Sequence, residues 1–308
     1  MHSFNSDATP DPLTSSSVID LRDPLSLGRV IFTNVMNFVA FSLTGLALLP
    51  LFAILLEILR KGLPNLTWQT LVSLPAAVGE EGVANGFANA IQGTILMVGI
   101  ASLISIPFGV LTAIFLSEFG KGSKVAATVR FVATVLSGVP SIVVGVFAYA
   151  IIVLAPACKG FSAIAGSVAL AVIMLPIVVL TTEEALKLVP VPQRLASSAL
   201  GCGSFQTTFR VVVAGALPGI TTGVLLAVAR AAGETAPLIF TALFSQTWPE
   251  GLKCNSPTPS LSVMIYNYAS SPFQEQNRLA WTASVVLVGI VLLVNILSRF
   301  AIRSLKTR

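Results

Sequence analysis

Six stretches of this 308-residue chain stay apolar for twenty residues or more, and that property narrows the fold more than any other. A helix rises 1.5 Å per residue, so about 20 apolar residues cross the roughly 30 Å hydrocarbon layer of a bilayer. The runs fall at residues 30–59, 88–117, 131–155, 160–182, 215–244 and 279–298. They are continuously apolar, without the alternation of barrel strands, which selects spanning helices. Pro50, Pro107, Pro140, Pro176, Pro218 and Pro237 lie inside or at the ends of the runs. Neighbouring helices can satisfy the carbonyls such residues free, so most of them read as packing kinks. The expected architecture is an all-α membrane protein with six transmembrane helices, residues 29–305. It is preceded by a disordered cytoplasmic tail, residues 1–28, that lacks the layout of a secretory signal.

Composition and charge agree with that class. Only 10% of residues are charged, against about a quarter in soluble domains. The net charge of +5 comes from Lys and Arg flanking apolar runs, with no basic, aromatic-interleaved patch of the kind that binds nucleic acid. Placing both termini inside the cell puts twelve Lys and Arg on the inner side: Arg22, Arg29, Lys121, Lys124, Arg130, Lys187, Arg194, Arg210, Arg299, Arg303, Lys306 and Arg308. Five fall outside (Arg60, Lys61, Lys159, Lys253, Arg278), and Arg230 is within the membrane. The positive-inside rule therefore predicts an N-in, C-in topology in a plasma (inner) membrane. The three cysteines form no CxxC pair and the one histidine is His2, so no metal site is expected. Cys158 and Cys254 fall in two outer loops, where either a disulfide or two free thiols fits an oxidising compartment; Cys202 belongs to the reducing side.

The connections differ in character. Residues 60–87 and 245–278 read as outer loops. Residues 183–214 form the longest inner loop, with helix-like apolar spacing broken by Gly201 and Gly203. Such a structured inner loop suggests a docking surface. Glu80, Glu81, Glu183 and Glu184 lack a nucleophile or metal partner and read as solvated faces.

The fifth run holds two charges, Arg230 and Glu234, four residues apart and so on one helix face. About 15 residues into that run, Arg230 would lie roughly 22 Å deep. An ionised Arg at the bilayer centre costs roughly 2.5–3.5 kcal/mol on insertion scales, so it faces a partner or a water-filled path. Mutual neutralisation with Glu234 is one reading; an anion site on a translocation path is the other. Gly233 and Pro237 favour the second, because Pro237 cannot donate to the Gly233 carbonyl and the helix weakens beside the charges. A guanidinium can engage two oxygens of an oxyanion. Glu234 repels a bare anion but accepts a hydrogen bond from a protonated one such as phosphate, and Thr235 could add a hydroxyl.

The segment RAAGETAPL, residues 230–238, resembles the signature of PstA-type phosphate permeases, and its GETAPL ending is closer to these than to their PstC partners. GVPSIVVGVFAY (138–149), EEALKLVPVP (183–192) and ALPGITTGVLLAVARA (216–231) extend the resemblance over roughly residues 30–305. It implies a type I ABC importer permease with the MetI-like fold, paired with a PstC-type permease and a PstB-type ATPase dimer, and served by the periplasmic phosphate-binding protein PstS. ATP and Mg would belong to the ATPase partner; none is implied in this chain. Arg230 and Glu234 correspond to the family's intramembrane arginine and acid. The family's EAA loop, aligned on Gly201, falls on Leu195, Ala196, Ser197, Gly201, Val211, Val213 and Ala214. Leu195 thus replaces the motif Glu, leaving Arg194, Leu200 and Phe205 to supply the ATPase contact, with a short helix over residues 192–200 ending at Gly201 as the docking rod.

No GxxxxGK[ST] loop occurs, so the chain is expected to be no enzyme in itself. A membrane protease would need a nucleophile–base pair or metal in the spans, which the sequence lacks. A permease for sulfate or molybdate, and a phosphate-signalling scaffold, are the remaining alternatives.

Overall fold

The computed structural model describes residues 26–80, 83–156 and 159–306, with the side chains of 297–299 and 301–306 excluded. Most of the expected tail therefore lies outside the described residues, as do Glu81 and Cys158. The described residues are helical, with no strand among them. The chain divides into two units, Met1–Leu55 and Leu56–Arg308.

Helix α1, Leu27–Gly62, begins in the first unit and ends in the second. Phe32, Phe38 and Phe41 of the first unit are exposed, as lipid-facing side chains would be.

The second unit continues with α2 (Trp68–Val72) and α3 (Ala88–Ile114), which runs on through a π turn, Phe115–Phe119. Next come α4 (Lys124–Ser137), α5 (Ser141–Ala148, continued by a π turn at Tyr149–Val153) and α6 (Ala163–Lys187). Helices α7 (Val191–Ala199) and α8 (Ser204–Thr207) lead through a third π turn, Thr208–Val212, into α9 (Val213–Gly233). The chain closes with α10 (Ala236–Thr241), α11 (Leu261–Ala269) and α12 (Gln274–Lys306).

Among the described residues, five helices are long and apolar enough to cross a membrane, and α4 with α5–Val153 makes a sixth if that bent pair counts as one span. The expected third run, 131–155, is thus no straight rod: its two halves meet at 104°. Pro140 explains the corner, since it lacks an N–H and pushes the preceding residue out of the helical region. The expected fifth run, 215–244, also departs from a single rod. The helix starts eleven residues earlier, at Ser204, and stops at Gly233.

The core lies where α3, α6 and α9 meet. Met97 and Ala101 of α3, Leu170, Met174 and Val178 of α6, and Ala227 and Ala231 of α9 form one cluster, capped by Leu238 of α10 and Val263 of α11. Small residues let the backbones approach: a Cβ on Gly219 would lie 2.8 Å from the Ala185 Cβ. A second cluster joins Phe87, Leu261, Met264, Tyr268, Leu279 and Ala283, seating α11 against α3 and α12.

Candidate functional site

The charge pair sits at a true helix end. After Gly233 the backbone turns extended at Glu234 (φ −70°, ψ 126°), and α10 restarts at Ala236 with Pro237 in its first turn. Pro is well tolerated there because the first N–H groups of a helix have no intrahelical acceptor. The Glu234 carbonyl, released from the helix ladder, accepts a 2.8 Å hydrogen bond from the Ser262 hydroxyl of α11. Pro237 is buried, and a Cβ on Gly145 would come within 2.7 Å of its Cα, so α5 packs directly on the break.

Arg230 Nε donates to Glu234 Oε1 at 3.3 Å. The arginine side chain is 50% exposed and the carboxylate only 14%. Neither guanidinium Nη, nor Glu234 Oε2, makes a hydrogen bond among the described residues, so both groups keep unused capacity. Thr235 stands half-buried beside them; its hydroxyl makes no hydrogen bond among the described residues.

Arg230 occupies the last turn of α9, just before the break, and not the interior of a continuous helix. Its neighbours Ala227 and Ala231 share a cluster with Met97 and Ala101. Met97 lies about 14 Å of helix rise beyond Ala88, the first residue of α3. The pair is therefore well inside the helical bundle but displaced toward one end. A cavity of about 220 Å³ flanks this level between α3, α9 and α12, lined by Thr94, Val98, Leu225, Ala229, Ile290 and Asn295. It is mostly apolar, and Arg230 stands outside its lining.

At the opposite end of α9, the residues considered for docking separate into two groups. Helix α7 is closed by Gly201 in the left-handed region (φ +84°), with Gly201 N–H on Ser198 O and Cys202 N–H on Ser197 O. That 6→1, 5→2 pattern requires a residue without a Cβ penalty after the helix. Leu195, Leu200 and Phe205 are exposed, at 64%, 85% and 67%. Ala196 is exposed too. Ser197 is buried, its hydroxyl 2.9 Å from that of Thr207, which ties α7 to α8.

Arg194 turns inward. Its side chain is 16% exposed, its Nη1 donates to the Glu118 carboxylate, its Nη2 to Leu186 O at 2.8 Å and its Nε to Val189 O. The expected outward contact is replaced by a clamp holding α7 to the ends of α3 and α6. Glu183 also differs from the expected solvated face. It is 1% exposed and accepts from Arg130 Nη2 at 2.6 Å and Nε at 3.0 Å, with Lys187 Nζ 3.0 Å away. Glu184 does remain exposed. Cys202 is a free thiol.

Sequence reasoning missed Ser262 and α11, which lie inside the expected outer loop 245–278. The signal was present: Ser260 accepts from Val263 N–H as an N-cap, immediately before the mostly apolar stretch 261–265. At nine residues the helix is too short to register as a span.

Residues 105–308 match the family described as binding-protein-dependent transport system inner membrane component. The chain is 41% identical over 246 residues to the phosphate transport system permease protein PstA of Pasteurella multocida, covering 80% of this chain and 85% of that one. It is 42% identical over 248 residues to PstA of Haemophilus influenzae, with the same coverage. In fold it resembles a chain of the MetNI methionine ABC transporter in inward-facing conformations, with a TM-score of 0.59 at 19% identity, over 70% of this chain and 94% of that one. These likenesses agree with the all-α MetI-like permease architecture and with a multi-pass inner-membrane component. The chain belongs to the binding-protein-dependent transport system inner membrane component family, in its PstA-type branch.

Proposed function

We propose that this chain is the membrane permease subunit of an ATP-driven importer of inorganic phosphate, and that Arg230 at the broken end of α9 is the group the anion meets on its way through. The observation that carries the reading is a half-exposed guanidinium with both Nη nitrogens uncommitted, fixed beside a largely buried carboxylate at a helix break. Guanidinium can present two parallel donors to two phosphate oxygens. Glu234 Oε2 can accept from the proton that inorganic phosphate keeps near neutral pH and sulfate does not. Relatives named as phosphate permeases support phosphate over sulfate or molybdate.

Both termini face the cytoplasm in this reading, on the strength of the Lys and Arg distribution. Energy comes from a PstB-type ATPase dimer that binds ATP and Mg, since the chain carries no phosphate-binding loop of its own. A PstC-type permease completes the path and PstS delivers the anion from the periplasm. The exposed Leu195, Leu200 and Phe205 form a short apolar rod suited to a groove on the ATPase.

The test is uptake of labelled phosphate by cells expressing Arg230→Ala or Glu234→Gln, with sulfate as competitor. Hydrogen bonds to charged groups contribute about 1.5–3 kcal/mol, so Arg230→Ala should slow uptake by about tenfold or more. Glu234→Gln should narrow the preference for phosphate over sulfate. Wild-type uptake by Arg230→Ala would remove the guanidinium from the path.

A further inference from the structure

A second cationic site lies away from Arg230, where α3, α4, α6 and α7 converge. A cavity of about 380 Å³ opens there, with Ser117, Lys121, Gly122, Arg130, Lys187 and Arg194 among its lining residues. That volume is at the small end of the range for ligand pockets. Four cations meet in it, and the acids that neutralise them are turned away. The Glu183 side chain is 2% exposed, behind Arg130 and Lys187 at 41% and 46%. Glu118 is 11% exposed and clamped by Arg194. Glu184, which bonds Lys187, is exposed but does not line the cavity. Lys121 is exposed and forms no salt bridge among the described residues, and Arg130 Nη1 makes no hydrogen bond among them.

The buried carboxylates thus hold the cations in fixed positions while the open face stays positive. The cavity also lies where two helices long and apolar enough to cross a membrane stop, at Phe119 and Lys187, and the ends of such helices fall near the headgroup layer of a bilayer. Basic pockets between helices at that level suit phosphate-bearing headgroups.

We propose that this cavity is a binding site for a phosphate-class anion, distinct from the Arg230 site, with Lys121 as its free donor and Arg130 and Lys187 as its walls. The anion comes either from an anionic phospholipid headgroup or from free orthophosphate, and two arms of one experiment separate these sources. Neither arm depends on how the chain transports its substrate.

In the first arm, the full-length chain in detergent is mixed with phosphatidylglycerol or phosphatidylcholine, and retained lipid is read by native mass spectrometry. In the second, equilibrium dialysis measures labelled orthophosphate bound in lipid-free detergent, in an Arg230→Ala background. Each is run with Lys121→Gln and, as a control for net charge, Lys253→Gln. Lys253 is also exposed and lies outside the cavity. A headgroup site predicts that phosphatidylglycerol is preferred and that Lys121→Gln weakens its retention about fivefold, the usual effect of one cation near anionic lipid. A free-phosphate site predicts a loss of that size in the dialysis arm. In either case Lys253→Gln leaves binding unchanged. The proposal is overturned if Lys121→Gln alters neither anion, or if Lys253→Gln lowers binding as much. Lys121 is solvent-facing and outside every ion pair among the described residues, so its loss leaves the fold in place and a null result counts against the site.

Discussion

Gly93→Ala tests whether α11 is seated on α3 as described, and hence whether the Glu234 carbonyl is held where Ser262 can reach it. A Cβ at position 93 would lie 1.9 Å from the Pro259 carbonyl oxygen, 3.1 Å from its carbon and 3.2 Å from Thr258 Cγ2. Restoring ordinary contact requires the backbone ahead of α11 to retreat by about 1.5 Å, and a main-chain carbonyl cannot swing aside as a side chain would. That retreat works against two bonds, Leu261 N–H to Thr94 Oγ1 at 2.9 Å and Thr258 N–H to Ala242 O at 2.9 Å. Overpacking of this kind costs about 1–3 kcal/mol and a strained hydrogen bond adds about 1. Against this, Ala in place of Gly favours a helix by about 0.8–1.0 kcal/mol. The net expectation is a loss of about 1–3 kcal/mol. Gly99, on the same helix, has no atom within 4 Å of the position a Cβ would take, so Gly99→Ala should gain up to about 1 kcal/mol from propensity alone. Thermal unfolding of the two variants and wild type, purified in one detergent, gives the comparison. Gly93→Ala should melt several degrees lower than wild type, Gly99→Ala at or above it. If Gly93→Ala melts with Gly99→Ala, the close approach of α3 to residues 258–260 is wrong, and the support drawn for the Glu234 carbonyl falls with it.

Two further perturbations address the other end of the molecule. Glu183→Ala removes the buried acceptor shared by Arg130 and Lys187; since both cations are nearly half exposed and can regain water, the cost should fall below the roughly 3–5 kcal/mol of a fully buried broken pair, and Glu183→Gln should melt between Ala and wild type. Leu200→Asp with Phe205→Asp should leave the melting temperature of the isolated chain near wild type, because both side chains are exposed, yet abolish co-purification with the ATPase subunit; full retention of the ATPase would move the docking surface elsewhere.

Spanning helices were legible because lipid demands length and uniform apolarity, and both are local properties of a sequence. At Gly233–Pro237 the proline and the adjacent charges signal a weakened helix in the sequence, and α9 ends at Gly233. The corner at Pro140 is less legible: that run keeps its apolar character across the bend, so hydropathy gives no warning and only the proline hints at it. Helix α11 escaped for the opposite reason: it is apolar and capped but too short to span, and its burial comes from Phe87, Leu279 and Ala283 on other parts of the chain. The burial of Glu183 and Arg194 has no local signal, because the oppositely charged partners that turn them inward, Arg130 and Glu118, lie 53 and 76 residues away. Arg230 and Glu234, four residues apart, were readable as a pair.

Arg194 and Arg230 differ in what their guanidinium groups have left to offer a ligand. Both lie near helix ends and both pair with an acid, so sequence context treats them alike. Arg194 spends every nitrogen: Nη1 on Glu118, Nη2 on Leu186 O and Nε on Val189 O, at 16% exposure. A guanidinium so committed has at most one of its five N–H groups left for a ligand, and freeing another would leave a carbonyl or carboxylate without its partner. Arg230 spends only Nε, in one 3.3 Å contact, at 50% exposure. An arriving anion can bind its two free nitrogens without first breaking a bond to the described residues. The difference follows from the helix break, because a continuous helix through Glu234 would need no Ser262 to hold the released carbonyl and would offer no open end for Arg230 to face.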